Sequence, residues 1–298
     1  MDLVALRART RGILVFAPTP LIEERDKTIV DEEGVRKNTE FLVRAGIPAA
    51  VVCGGVGELW DLTAEEHLRV VRAAVGQAGG RMAIYAGISG DAAASEAGAR
   101  RVQDAGADGV LLFPDEEAVP DAAALLSYYT RVSRAVGIGL MPFRADAWVD
   151  IPLLAQLADL PNVVALKEER ESMPEFRQIV LALGERLAVI GAGDEFAPCY
   201  LVLGGAGVAC SLSNFLPGLY TGMWEAAQRW DYRRVTQIDA SLAPLFALRR
   251  RHGLGLIKAA LELVGLAGGP CRTGRPRLDA AGRDELARVL ELLPAGPA

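Results

Sequence analysis

The sequence predicts an α/β fold, a parallel (β/α)8 TIM barrel with a C-terminal helical extension, on three observations. Eight short apolar runs recur along the chain, and segments of helical periodicity fill the intervals between them. Their mean spacing is near the ~30 residues that a barrel of ~250 residues divided eight ways requires. At 298 residues, 51% of them hydrophobic, the chain is long enough for one such domain with a modest addition. The barrel is expected over residues 1–230 and the helical extension, packed on it, over 231–298.

In chain order the predicted strands are ILVFAP from Ile13, AAVVCG from Ala49, MAIYAG from Met82, DGVLLFP from Asp108, IGLMPF from Ile138, NVVALK from Asn162, LAVIGA from Leu187 and GVACS from Gly207. Such near-continuous Val, Ile and Leu runs mark strands buried on both faces by crossover helices. Between the first two, Val35, Thr39 and Leu42 form an inward helical stripe that ends at Gly46. After the second, Thr63 and Glu66 make a T-x-x-E capping box. The phrases AGIPAAVV from Ala45 and AGADGVLL from Ala105 repeat one unit, a helix-ending glycine followed by a buried strand. Beyond Trp230 only helical patterns remain, among them GLGLIKAALELVGL from Gly253, and a Pro/Gly/Arg stretch from Gly268 to Pro276 precedes a last helix. The competing open doubly wound sheet lacks its G-x-G-x-x-G turn after the first strand.

Composition narrows the function. The net charge is −6 and the basic residues are scattered, which argues against a nucleic-acid partner and for small-molecule chemistry. Cys53, Cys199, Cys210 and Cys271 have no C-x-x-C spacing, and His67 and His252 are the two histidines, so no metal site and no cofactor are expected. Neither histidine has an evident partner in the sequence. The first residues, MDLVALRARTRG, contain no signal-like apolar stretch, and no run reaches the ~18 apolar residues of a membrane span, so a reduced cytoplasmic protein without a membrane partner is expected.

Of the 32 basic residues, 28 are arginines, which leaves Lys27, Lys37, Lys167 and Lys258 as distinctive choices. Lys167 ends the apolar run NVVAL and opens the polar loop EERES, and so belongs at the C-terminal mouth of a barrel, where active sites are built. A lysine withdrawn from water there loses its charge more easily, and the free amine attacks carbonyl carbon. A salt-bridged strand-end lysine is the alternative reading. Gly54, Gly55, Val56 and Gly57 form a tight turn after the second strand, whose amides are able to donate to an anion or merely turn a corner.

From APTPL at Ala17 to the helix containing Lys258, the chain resembles the dihydrodipicolinate synthase and N-acetylneuraminate lyase family of class I aldolase barrels. The segments that carry the likeness are GGVGELWDLTAEEH from Gly54, AGADGVLLFP from Ala105, VVALKEE from Val163 and GGAGVACSLSNFLP from Gly204. GGVGE is most similar to the 5-dehydro-4-deoxyglucarate dehydratase branch. The resemblance implies a keto acid whose carbonyl condenses with Lys167 and whose carboxylate sits on the loop from Gly54 to Glu58, at Gly54, Gly55, Val56 and Gly57, with Val208 also in the substrate site. The family's proton-relay tyrosine at the end of strand five is matched here by Met141 or Pro142, and the strand-two hydroxyls by Gly55 and Val56. The tyrosine often found after strand four falls on Asp115 or Glu116.

Substitutes for the missing relay are Glu168 or Glu169 and Asp115 or Glu116, although strand alternation turns Glu168 away from Lys167. Arg144 and Arg170 are placed to pair with a distal carboxylate. Asp194, Ser211 and Asn214 either line the pocket or cap the following helix, and Lys258 resembles a packing position.

The implied function is a Schiff-base-forming lyase, an aldolase or dehydratase, acting on a 2-keto acid or keto-deoxy sugar acid. The competing reading is a divergent member that binds a keto acid without turnover. A metal- or flavin-dependent barrel ranks third, against the scarcity of histidine and the lack of a phosphate-binding glycine pattern. The resemblance also implies a homo-oligomer, dimer or tetramer.

Overall fold

The computed structural model describes residues 1–25, 27–272, 274 and 276–294. Eight parallel strands close into a barrel: β1 (Gly12–Phe16), β4 (Ala49–Val52), β5 (Ala83–Gly90), β6 (Gly109–Pro114), β7 (Gly139–Arg144), β8 (Ala165–Glu168), β9 (Ala188–Ala192) and β10 (Gly207–Cys210), with β1 pairing to both β4 and β10. All eight coincide with the runs expected from the sequence. Between β1 and β4 a two-stranded antiparallel ribbon, β2 (Leu21–Glu24) and β3 (Lys27–Val30), was not foreseen, because each of its strands carries only two consecutive apolar residues.

Two apolar layers hold the barrel. The inner one is filled by side chains such as Leu14, Val51, Tyr85, Leu111, Met141, Ala165 and Ile190. The outer one joins the opposite strand faces to the helices. An unforeseen helix, α1 (Leu3–Arg9), begins at an Asp2 cap and inserts Leu6 into the inner layer. Gly139 gives Leu6 that room, since a Cβ there would lie 2.4 Å from it. Tyr85 donates to or accepts from Thr10 at 2.6 Å and fills space that any side chain at Gly109 would need.

The expected helical stripe lies on α2 (Glu32–Arg44), where Val35, Thr39 and Leu42 are buried and Gly46 follows at φ 74°. The Thr63–Glu66 capping box opens α3 (Ala64–Ala78). Helices α4 (Ala92–Asp104), α5 (Ala122–Ala135), α6 (Ile151–Ala158), α7 (Met173–Leu183) and α8 (Ala197–Val202) follow β5 to β9 in turn, as crossovers between parallel neighbours must. His67, on α3, does have a partner: its Nε2 lies 2.8 Å from the Gly87 carbonyl on β5, and burial holds its pKa down. His252 accepts from Arg251 at 3.1 Å. Nothing in the local sequence announces either contact.

After β10 and α9 (Pro217–Gln228) come α10 (Tyr232–His252), α11 (Leu254–Leu263) and α12 (Ala280–Glu291). At 21 residues, α10 runs roughly 30 Å and brings its C-terminal turn to the barrel mouth, where Arg249 and Arg250 line a cleft with Lys167. Part of the Pro/Gly/Arg stretch, residues 273 and 275, lies outside the described set.

Candidate active site

Period two along a strand decides what faces the barrel axis, and Lys167 does. It is 6% exposed at the end of β8, and its Nζ stands 4.9 Å from the ring centre of Phe16 and 4.5 Å from that of Phe143. Glu169 supplies its ion-pair partner from the loop above. Burial among the rings lowers the lysine's pKa, and the Glu169 charge opposes that shift. Because desolvation is the larger influence, the neutral amine is more accessible here than on a surface lysine.

Two clefts meet at Lys167. One, of about 600 Å³, is walled by Phe16, Trp60, Phe113, Phe143 and Trp148, with Glu116, Asp146 and Glu169 as its acids. Its rings touch in sequence, Trp60 to Phe113 at 5.6 Å and Phe113 to Phe143 at 4.9 Å. The other, of about 520 Å³, runs past Ser211 and Asp194 to Arg249 and Arg250. Gly55 and Val56 border the first cleft and Val56 the second. Among the described residues the amides of Gly55 and Val56 donate to no other group, which leaves them free for an anion.

The rest of the strand-two loop is structural. Gly54 packs against Phe16 and Val51, and the Gly57 carbonyl accepts from Thr19 Oγ1 at 2.7 Å, so neither lines a cleft as expected. Glu58 is fully buried at a left-handed φ of 59°, bonded to Lys258 Nζ and, at 2.6 Å, to the Arg272 amide. Lys258 also donates to the Pro270 carbonyl at 2.6 Å. This network fastens the loop to the C-terminal helices.

Three other expectations need correction. Arg144 faces away from the axis: it is 3% exposed and bonds Glu168 at 2.8 Å, Glu175 at 3.1 Å and the Val149 carbonyl at 2.6 Å. Arg170 is held by the same Glu175. Met141 does point inward, but it is fully buried in the layer beneath the clefts, and Phe143, registered against Lys167, takes the place beside the amine. Val208 points outward into the helix layer, and Ala209 is the β10 residue on the cleft. In each case the error is one of strand facing or depth, which adjacent residues cannot share.

Glu168 turns away from Lys167, as alternation required. Asp194 borders the second cleft, yet its carboxylate is occupied by the Ser211 amide and hydroxyl, the Leu212 amide and the Tyr220 hydroxyl at 2.6–3.0 Å. Asn214 donates to the Phe16 and Ser211 carbonyls and is structural. The sequence reading missed Phe16, Phe143, the two tryptophans and Arg249. Alternation on β1 and β7 limits which residues share a face, but placing Phe143 inward takes the register of β7 against β8, and Arg249 gave no local signal.

A closed (β/α)8 barrel with a desolvated lysine at its C-terminal mouth defines a class of small-molecule barrel enzymes. Within that class the chain belongs to the Dihydrodipicolinate synthetase family, whose profile matches residues 9–293, and so to a family of lyases. It is 33% identical to the 4-hydroxy-tetrahydrodipicolinate synthase of Methanospirillum hungatei over 95% of this chain and 98% of that protein. It is 32% identical to the probable 5-dehydro-4-deoxyglucarate dehydratase of Methylobacterium radiotolerans, over 94% of each. The crystal structure of dihydrodipicolinate synthase from Oceanobacillus iheyensis superposes with a TM-score of 0.88 at 26% identity, covering 97% of this chain and 98% of that one.

Proposed function

We propose that this protein is a Schiff-base lyase, an aldolase or dehydratase, whose Lys167 condenses with the carbonyl of a 2-keto acid or keto-deoxy sugar acid. The observation that carries the reading is the buried, ring-flanked amine at the junction of two open clefts, within a family of lyases. In the first step the neutral amine adds to the ketone carbon. Loss of water then gives a protonated imine, which draws electrons from the adjoining carbon when a substrate bond breaks. The substrate carboxylate would rest on the amides of Gly55 and Val56.

Glu169 is the group best placed to take and return protons at Lys167, and Glu116 and Asp146 face the aromatic cleft. By resemblance the family tyrosine falls on Met141 or Pro142, the ring beside the amine is that of Phe143, and among the described residues no tyrosine lines either cleft. That observation favours a second reading, a keto-acid binder without turnover, since a positioned acid or base contributes about 10²–10⁴ in rate. Among keto-deoxy sugar acids, 5-dehydro-4-deoxyglucarate is the sharpest candidate, from the GGVGE loop and the named dehydratase relative. A cytoplasmic homo-oligomer, dimer or tetramer, is the accompanying proposal from family resemblance.

Incubation with 5-dehydro-4-deoxyglucarate, and with pyruvate plus aldehydes, separates the two readings. Steady product release abolished by Lys167→Ala supports the lyase. A trapped adduct with no turnover supports the binder, and full activity in Lys167→Ala contradicts the imine mechanism.

A further inference from the structure

The cleft leading away from the aromatic wall ends on a cation with no acceptor. Along it, Lys167 pairs with Glu169, Arg250 with Glu195, and Asp194 is occupied by four donors. Arg249 is different. Its Nε is buried without a partner, and among the described residues its guanidinium makes neither a hydrogen bond nor an ion pair. Burial depresses its pKa, opposed by the charge of Asp194. A buried donor left unmade carries a free-energy penalty that a ligand acceptor would remove.

Arg249 also borders a neighbouring cavity of about 560 Å³ lined by Gly55, Val56, Arg250, Arg251, His252 and Arg277, with no acid among the described lining residues. Of its four arginines, Arg250 pairs with Glu195, Arg251 with Glu285 and Arg277 with Glu23, so among the described residues Arg249 is the one left without a carboxylate. On the cleft toward Lys167, however, Glu169, Glu171, Asp194 and Glu195 are close by. That mixture suits a singly charged, planar carboxylate, matched by one planar guanidinium, better than a doubly charged phosphate.

We propose that Arg249 receives the second carboxylate of a dicarboxylic 2-keto acid whose carbonyl reaches Lys167, so that the site selects keto diacids over keto monoacids. This deepens, and rests on, the imine reading for the reacting end, while the anion site itself does not depend on it. Arg249 would be a specificity-determining residue.

The test compares 2-oxoadipate with 2-oxohexanoate, of equal length, by the concentration that half-saturates borohydride trapping. The wild-type protein is expected to prefer the diacid about ten-fold or more, and Arg249→Gln to collapse that ratio toward one. A ratio near one in the wild-type protein, or one unchanged in the variant, overturns the assignment. Adipate, which has no ketone and forms no imine, reads the anion site alone. At constant ionic strength it should raise the wild-type Tm more than hexanoate or inorganic phosphate does, and not that of Arg249→Gln. If neither keto acid traps, the imine reading has failed and adipate still decides: equal stabilisation of both proteins, none of either, or a larger effect of phosphate overturns the carboxylate site.

Discussion

Two of the four lysines are buried, and they differ in what surrounds them. Lys258, on α11, is 1% exposed and sealed by Glu58 and the Pro270 carbonyl. Lys167 is 6% exposed, has aromatic rings on two sides, pairs with the half-exposed Glu169 and opens onto two clefts. Burial lowers the pKa of both, and in both a carboxylate opposes it. Desolvation alone therefore does not distinguish a nucleophile from a strut. Access does, together with a partner that can swing away: Glu169 reaches solvent, whereas Glu58 is locked by Lys258 and the Arg272 backbone.

The largest effect that would break this comparison is on chemistry. Lys167→Ala should abolish adduct formation and turnover outright while leaving the Tm close to the wild-type value, because the side chain borders open space. Lys258→Met should do the reverse. Removing one partner of a buried pair strands the other, at about 3–5 kcal/mol, so a marked fall in Tm is expected while the folded fraction still traps keto acid at Lys167. A stability loss confined to Lys167→Ala would invert the assignment of roles.

A smaller effect sharpens the comparison. Glu169 raises the lysine pKa against the dominant lowering by burial. Glu169→Gln removes that attraction, so the pH at which trapping reaches half its plateau should fall below the wild-type value. The wild-type midpoint should itself lie below the ~10.4 of an ordinary lysine. An upward shift in Glu169→Gln would show that the carboxylate does not stabilise the ammonium. Smallest at the active site should be Arg144→Gln. By stranding buried Glu168 it should lower the Tm, with little change in the concentration that half-saturates trapping, as expected of an arginine turned away from both clefts.

The barrel was legible because strands covered on both faces must be apolar at nearly every position, and no other common architecture spaces eight such runs so evenly. The position of the candidate site was legible where residue type and strand end coincide, as at Lys167 and at Gly55 and Val56, which border the clefts. It was not legible where facing mattered. Alternation was enough to turn Glu168 away from the amine. The same rule on β7 puts Phe143 inward and Arg144 outward, but it needs the register of β7 against β8, which is a property of the closed sheet. Arg249 lay further out of reach, since the length and packing of α10 bring it to the mouth and no motif adjoins it. The ribbon from Leu21 to Val30 was missed for a simpler reason: each of its strands carries only two apolar residues, Leu21 and Ile22 on one and Ile29 and Val30 on the other, too short a run to announce a strand.

The central claim is that Lys167, and not Lys258, is the reactive amine. Borohydride reduction in the presence of pyruvate, followed by intact mass and peptide mapping, tests it most directly. One adduct per chain, on the peptide containing Lys167 and absent from Lys167→Ala, is the predicted result. No adduct, or one on Lys258 in the folded protein, would contradict it.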